Sequence, residues 1–433
     1  MTQIRIATPL ADSLQLIDIH SQRGASCGGI SSDIGVYPSD SATTKSDFSM
    51  LEFFIECKHK PVGDPFGDNP PKSERKCHPT QAFALERDSD DTRQNRGQLG
   101  AYAAAVLGSQ FRVHMFSIGI YGDYARFMRW DRGGAVVTER FEYAAAGNTL
   151  LSEFISRYSQ LKSFERGHDP TITPPIQLPP PDDKTKLEKA NPRHREFRRM
   201  LIHDRETPDE ELAKLDKEHQ YIISYPPCYT TYSPFGRATR GMLGYDEEKK
   251  MVVYIKDYWR PIASGYEKEG DIYRSLEENK VPYTASFGRG NDLPHQTRSH
   301  ELCTRSNMIP LQHYRIALNK VGKHLTEFSS THELVGAIAD AMEGPSSLLC
   351  LLPVLICATF IAHDQAYFKA KILHRDISVG NILIGADGRG FLIDWDLCIR
   401  IGGVGDEGDD EPRRAQRTVK TMASLAGDML TIC

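Results

Sequence analysis

Apolar and polar positions before residue 165 alternate in a mixed α and β pattern. Residues 48–58 (FSMLEFFIECK) are rich in aromatic and aliphatic side chains and predict a strand. Residues 96–107 (RGQLGAYAAAVL) predict an alanine-rich helix. Residues 112–120 and 124–130 predict two further strands, and 135–143 a third, after the turn-forming run Asp131-Arg132-Gly133-Gly134. The pattern then breaks: seven prolines fall between Pro170 and Pro192, which favours an extended linker over a helix or central strand. Residues 194–219 carry Phe197, Met200, Leu201, Leu212 and Leu215 at spacings that predict a helix. A strand-rich stretch over 222–311 precedes a helix-rich one, an order that suggests an α+β fold in two lobes. A second polar break at 402–414 reads as a loop, and no internal repeat is visible.

One apolar run, residues 348–362 (LLCLLPVLICATFIA), extends for 15 residues with Pro353 inside it. A membrane-spanning helix needs about 20 such residues, so a buried helix or an insertion is expected and no membrane partner. Residues 333–343 and 362–370 both read as helix and would join if 344–361 were removed, so the run interrupts a helix.

Length changes the picture only by implying about two or three domains at ~150 residues each. The 433 residues carry a net charge of −5, which gives no electrostatic argument for nucleic-acid or anionic-membrane binding. The nine cysteines form no CxxC pair and are odd in number, which argues against a disulfide framework or zinc site and for a reducing compartment. The N-terminus lacks the basic start and apolar core of a signal peptide, so an intracellular location, cytoplasmic or nuclear, is expected.

The chemistry is carried by residues 372–384 (ILHRDISVGNILI) and 391–396 (FLIDWD). His374-Arg375-Asp376 is followed at +5 by Asn381, and an apolar strand then ends in Asp394. This is the spacing of a catalytic loop and a metal loop: one carboxylate meets a substrate hydroxyl, while an amide and a second carboxylate hold the magnesium ions that bridge ATP phosphates. Upstream, residues 251–256 (MVVYIK) match the strand that ends in a phosphate-binding lysine, Lys256. Residues 267–276 (EKEGDIYRSL) match the helix whose glutamate pairs with that lysine. Glu269 has Ile272, Tyr273 and Leu276 at +3, +4 and +7 to pack one face, with Glu267 as competitor; Gly270 is a poor helix former at this place. Residues 233–241 (SPFGRATRG) offer Gly236 and Gly241 as a reduced glycine-rich loop over the phosphates.

Together these residues resemble the fungal-type protein kinase family. The resemblance extends to residues 96–137 and to Arg166-Gly167-His168-Asp169-Pro170-Thr171, which are similar to that family's N-terminal region. It implies a bilobal kinase fold, ATP and Mg²⁺ as cofactors, and a protein substrate phosphorylated on Ser or Thr. It also implies Lys256 and Glu269 for positioning ATP, Asp376 as base, and Asn381 and Asp394 for metal. The corresponding organisation is an N-terminal α/β domain over 1–165, a linker and helix over 166–215, an N-lobe over 216–325 and a partial C-lobe over 326–433.

Three positions depart from the family pattern. Ser378 stands at +2 from Asp376, where Ser/Thr kinases carry a lysine that neutralises the transferring phosphoryl group. Trp395-Asp396 replaces Phe-Gly after Asp394, a pairing similar to antibiotic and choline kinases. The chain stops with residues 419–433, where the family continues into the large C-lobe helices, so an incomplete C-lobe is expected. A pseudokinase or truncated nucleotide-binding protein is therefore the alternative function. A second alternative lies in the N-terminal domain. Asp47, then Glu56-Cys57-Lys58 on a strand, then Gln98 opening a helix, resemble the layout of PD-(D/E)xK nucleases, in which carboxylates bind Mg²⁺ and the lysine helps activate water.

Overall fold

The computed structural model describes residues 13–20, 29–41, 45–68, 85–177, 196–202, 220–225, 227, 233–302, 308–342 and 361–401. The predicted loop at 402–414, the chain end at 419–433 and nearly all of the apolar run at 348–362 lie outside the described residues. Among the described residues no helix is long and apolar enough to cross a membrane.

The N-terminal unit is a sheet in the order β1 (Leu14–Asp18), β2 (Ile34–Pro38), β3 (Phe53–Lys58), β4 (His114–Tyr121), β5 (Tyr124–Asp131) and β6 (Gly134–Val137), with β7 (Phe141–Glu142) also on β5. Neighbours are antiparallel except β3 and β4, which run parallel because α1 (Asp90–Ser109) crosses between them. That helix starts six residues earlier than its alanine-rich run. Ser89 and Thr92 form a reciprocal capping box, and Asp90 and Asp91 occupy the positive first turn. Its buried face, with Leu99, Tyr102 and Val106, packs Phe54, Met115 and Trp130 on one side of the sheet. On the other side α2 (Leu150–Gln160) brings Ile155 and Tyr158 against Phe53, Ile55 and Ile118.

Two predicted strands are shorter than their apolar runs. Residues 48–50 turn instead, because Asp47 accepts the Ser49 backbone N–H at 3.0 Å and Met50 N–H closes on Asp47 O at 3.1 Å. Residues 135–143 split into β6 and β7, both paired with β5.

The second unit is a six-stranded antiparallel sheet in the order β12 (Phe287–Gln296), β13 (Leu311–Leu318), β11 (Met251–Pro261), β10 (Arg240–Asp246), β9 (Gln220–Tyr225) and β8 (Glu196–Leu201). Strand β8 corrects the expected helix at 194–219 over its described part. Phe197 packs against Ile222 and Tyr245 while Met200 joins the cluster of Tyr221 and Val253, so its spacing serves the two faces of an edge strand. Pairing with β9 along all six residues overrides the local pattern. The expected linker is also partly engaged: Ile172 and Ile176 bridge to Met200 and Phe197, so this sheet begins before residue 216.

Helix α3 (Glu269–Glu278) lies against this sheet. Its Ile272, Tyr273 and Leu276 share one core with Tyr258, Tyr314 and Ile316 of the sheet and with Phe391, Leu392 and Trp395 of the C-terminal part. That part contains α4 (Thr331–Met342), α5 (Ile361–Gln365), a three-stranded sheet of β14 (Gly322–His324), β16 (Ile382–Gly385) and β17 (Gly390–Leu392), and a two-stranded sheet of β15 (Ile372–Leu373) and β18 (Ile399–Arg400).

Buried polar contacts tie the N-terminal unit to the six-stranded sheet. Arg132 donates to Leu107 O at 2.7 Å and to Pro234 O at 3.2 Å, and Asp131 accepts from Ser299 N–H and hydroxyl. Arg315 on β13 reaches Asp169 at 2.9 Å, Thr171 Oγ1 at 2.8 Å and Asp257 at 3.1 Å. The Asp169-Pro170-Thr171 stretch thus docks on the second unit.

Candidate active site

Lys256 sits on the central strand β11 and is buried. Its Nζ lies 2.9 Å from Glu269 Oε2, 2.5 Å from Asp394 Oδ1 and 3.0 Å from Asp396 Oδ2. Glu269 is the first residue of α3, and its other oxygen accepts the Trp395 backbone N–H at 3.2 Å. Its competitor Glu267 turns outward to Arg400 at 2.9 Å. Gly270 is tolerated because it occupies the first turn of α3. It donates its N–H to Tyr314 Oη at 2.9 Å, and a Cβ there would stand 2.7 Å from that oxygen.

Burial sets the electrostatics, and the cluster's own charges then sort it. Burial raises the Glu269 carboxyl, Lys256 opposes this, and Asp396 and Asp394 add to it, leaving it pushed up to about 7. Burial also raises Asp394. Asp396 is held low despite burial, because Lys256 and Arg237 both face it. Burial works against the Lys256 ammonium, but Asp396, Glu269 and Asp394 outweigh it and hold the charge firmly.

The HRD segment is fixed by backbone contacts. His374 is fully buried, donates from Nε2 to Ile393 O at 2.9 Å and packs edge-on to the Trp395 ring at 4.5 Å. Burial depresses it to about 4, so it is neutral near pH 7. Arg375 and Asp394 both adopt left-handed backbone, with φ of 67° and 69°. Such residues cost roughly 1–2 kcal/mol each, which the surrounding contacts must offset. The Asn381 side-chain amide donates to Asp376 O at 2.8 Å and to Asp376 Oδ2 at 3.3 Å, and the Asn381 backbone carbonyl accepts Ile393 N–H at 2.9 Å. Ser378 is exposed. The structure therefore brings together Lys256, Glu269 and Asp394 as one cluster, and Asp376 with Asn381 as another, joined through the Asn381–Ile393 contact.

The glycine-rich stretch is placed differently from a free loop. Gly236 has φ of 90° and donates its N–H to Arg132 O at 2.8 Å, while Phe235 stacks on Trp130. Gly241 lies within β10, paired with Lys256. Sequence reasoning missed two participants. Arg237 reaches across the cleft to Asp396 at 2.5 Å, and Asp396 itself is 5 % exposed with Oδ1 lacking any hydrogen-bond partner. The carboxylate standing where glycine is usual after Asp394 was the signal. Oxygens of Glu269, Asp394 and Asp396 lie within 4.8 Å of one another, a hard-oxygen donor set that fits Mg²⁺.

In the N-terminal unit, Glu56, Lys58 and Gln98 meet: Lys58 Nζ is 2.8 Å from Glu56 Oε1 and 2.7 Å from Gln98 Oε1. Asp47 is not part of this group. It lies in the β2–β3 connection, at the opposite end of the hairpin, and bonds Ser49.

No curated protein matches the chain. A model of the fungal protein kinase family matches residues 72–293 and 285–432, which include Lys256, the helix of Glu269 and the segments of Asp376 and Asp394, and on that match the chain belongs to the fungal protein kinase family.

Proposed function

We propose that the chain is an ATP- and Mg²⁺-dependent phosphotransferase acting on Ser or Thr of a protein. The supporting observation is the convergence of two carboxylates from separate segments, Glu269 and Asp394, on the buried ammonium of Lys256. In this reading Lys256 holds the ATP phosphates and Glu269 fixes its direction. Asp376 orients the substrate hydroxyl and takes its proton as the oxygen attacks the γ-phosphorus and ADP leaves. Asn381 and Asp394 hold Mg²⁺, which when bound neutralises charge on the phosphates. Gly241 carries the backbone that passes over the nucleotide.

Calorimetry of Mg²⁺-ATP binding, with Asp394→Ala as control, tests this. Binding that depends on Asp394 followed by phosphotransfer supports the kinase. Binding without transfer to any protein acceptor selects the pseudokinase alternative, which Ser378 favours. A second reading, a magnesium-dependent nuclease, has its own observation in the Glu56–Lys58–Gln98 contacts. DNA cleavage lost in Glu56→Ala and kept in Asp394→Ala would favour it.

A further inference from the structure

Behind the cleft of Lys256, the six-stranded sheet meets the N-terminal unit at a small polar pocket. Its polar wall is Arg112 and Arg132 from the N-terminal unit, Asp169 from the docked stretch, and Arg240, Asp257 and His313 from the sheet. The register brings the sheet residues to one face. Asp257 pairs with Arg240 on one side and Arg315 on the other, and Trp259 pairs with His313. Side chains alternate along a strand, so this face is the one opposite Lys256.

The carboxylates of the wall are already paired. Asp169 meets Arg315 at 2.9 Å, and Asp257 meets Arg315 at 3.1 Å and His313 Nε2 at 2.7 Å. Arg112 has Glu52 at 3.2 Å. Arg240 is left over. It is 5 % exposed, and among the described residues no carboxylate pairs with it. Its Nη2 donates to Leu107 O, its plane lies 5.1 Å from the Phe111 ring centre, and its Nη1 is buried with no hydrogen-bond partner. Arg132 donates to the same Leu107 O, so two guanidiniums meet on one neutral oxygen. That carbonyl belongs to the last turn of α1, whose end carries only about half a negative charge. Burial works against the Arg240 cation, and Asp257 offsets this only in part because Arg315 stands on the same carboxylate. A buried charge without a partner is costly, and a counter-ion relieves it.

We propose that this pocket binds one small monovalent anion, chloride in size and charge, held by Arg240 Nη1 between the N-terminal unit and the back of the sheet. The pocket has room for a single water-sized particle, which admits a halide and excludes sulfate, phosphate and carboxylates. One negative charge there balances the guanidinium that the neighbouring carboxylates leave over. A water in the same place would satisfy Arg240 Nη1 and His313 Nδ1 but leave that charge uncompensated. Because its wall comes from both units, the bound anion strengthens their junction. The site lies on the face opposite the proposed kinase cleft and does not depend on that reading.

The measurement is chloride NMR line broadening by the full chain in gluconate buffer, with chloride titrated at constant ionic strength. Saturable broadening is expected, displaced by bromide and indifferent to sulfate, and weakened about tenfold or more in Arg240→Gln, the loss of a charged hydrogen-bond donor. Arg240→Lys keeps the positive charge but removes the Nη1 donor, and should weaken binding severalfold; circular dichroism checks the fold of both. In the parent chain, chloride at about ten times its Kd should raise Tm by roughly 1–3 °C over gluconate. No saturable broadening by the folded parent chain, with the same Tm in either salt, means that the pocket holds water only and overturns the proposal. Broadening that survives undiminished in a folded Arg240→Gln or Arg240→Lys, or that sulfate abolishes, overturns it equally.

Discussion

Replacing Arg315 with methionine is expected to unfold both units together. The guanidinium is fully buried and serves four partners: Asp169, Asp257, Thr171 Oγ1 and Leu201 O. Asp257 is shared with His313 at 2.7 Å, so it keeps one partner, whereas Asp169 keeps only the Thr171 contacts. Methionine fills much of the volume but leaves two buried carboxylates facing an apolar chain. Removing one partner of a buried ion pair costs about 3–5 kcal/mol. Against a total stability of about 5–15 kcal/mol this is a large share, and a fall in Tm of roughly 6–20 °C follows. The defect should depend on pH. Burial works against both Asp169 and Asp257, yet Arg315 holds their carboxyls below the ordinary range. Groups with depressed values contribute stability above the unfolded pKa and lose it as pH falls. The variant lacks that contribution, so its deficit is greatest near pH 7 and narrows toward acid. Urea denaturation followed by tryptophan fluorescence reads the effect in three places, since Trp130 lies on β5, Trp259 on β11 and Trp395 beside Asp394. The parent chain should show one transition by fluorescence and circular dichroism alike. A loss below about 1 kcal/mol at pH 7, or a parent chain that melts in two separate steps, would refute the reasoning.

Other expectations concern the cleft and its supports. Asp396→Asn should weaken Mg²⁺-ATP binding by about 10–100-fold in calorimetry, and an unchanged affinity would remove Asp396 from the donor set. Gly270→Ala should destabilise by about 1–3 kcal/mol despite alanine's better helix propensity, because the new methyl meets Tyr314 Oη and the Phe287 ring; a stabilised melt would contradict it. His374 is depressed to about 4 in the folded chain, so the unfolded chain binds more protons between there and pH 6.5. Stability should therefore fall as pH drops through that window, by roughly 3 kcal/mol from this group, and His374→Gln should flatten the profile.

The grouping of the proposed catalytic segments was legible because their residues are local: His374, Asp376 and Asn381 lie on one loop, and Asp394 follows the adjoining strand. Lys256 and Glu269 were legible from strand and helix patterns that bury one face. What escaped was set by contacts distant in sequence. Phe197, Met200 and Leu201 share a spacing compatible with a helix, and only pairing with β9 makes them a strand. Asp47 reads as the first carboxylate beside a Glu-x-Lys strand, but the β2–β3 hairpin puts it at the opposite end, bonded to Ser49. Gly270 looked unfavourable in a helix because the Tyr314 hydroxyl above it belongs to a strand 44 residues away. Arg237 showed nothing locally, since its partner Asp396 comes 159 residues later.

The Arg237–Asp396 contact gives the cleft an occupant of its own. Two cations, Lys256 and Arg237, already sit among the carboxylates that the proposed Mg²⁺ would claim. On the kinase reading, nucleotide arriving without metal meets three carboxylates and is repelled, while metal arriving without nucleotide must evict an ammonium with nowhere to go. Were both bound, Asp394 and Asp396 would hold the metal while Lys256 and Arg237 would turn to the phosphates, so each ligand would make room for the other. Metal and nucleotide would then bind with positive coupling, and the resting chain would discriminate against either one alone.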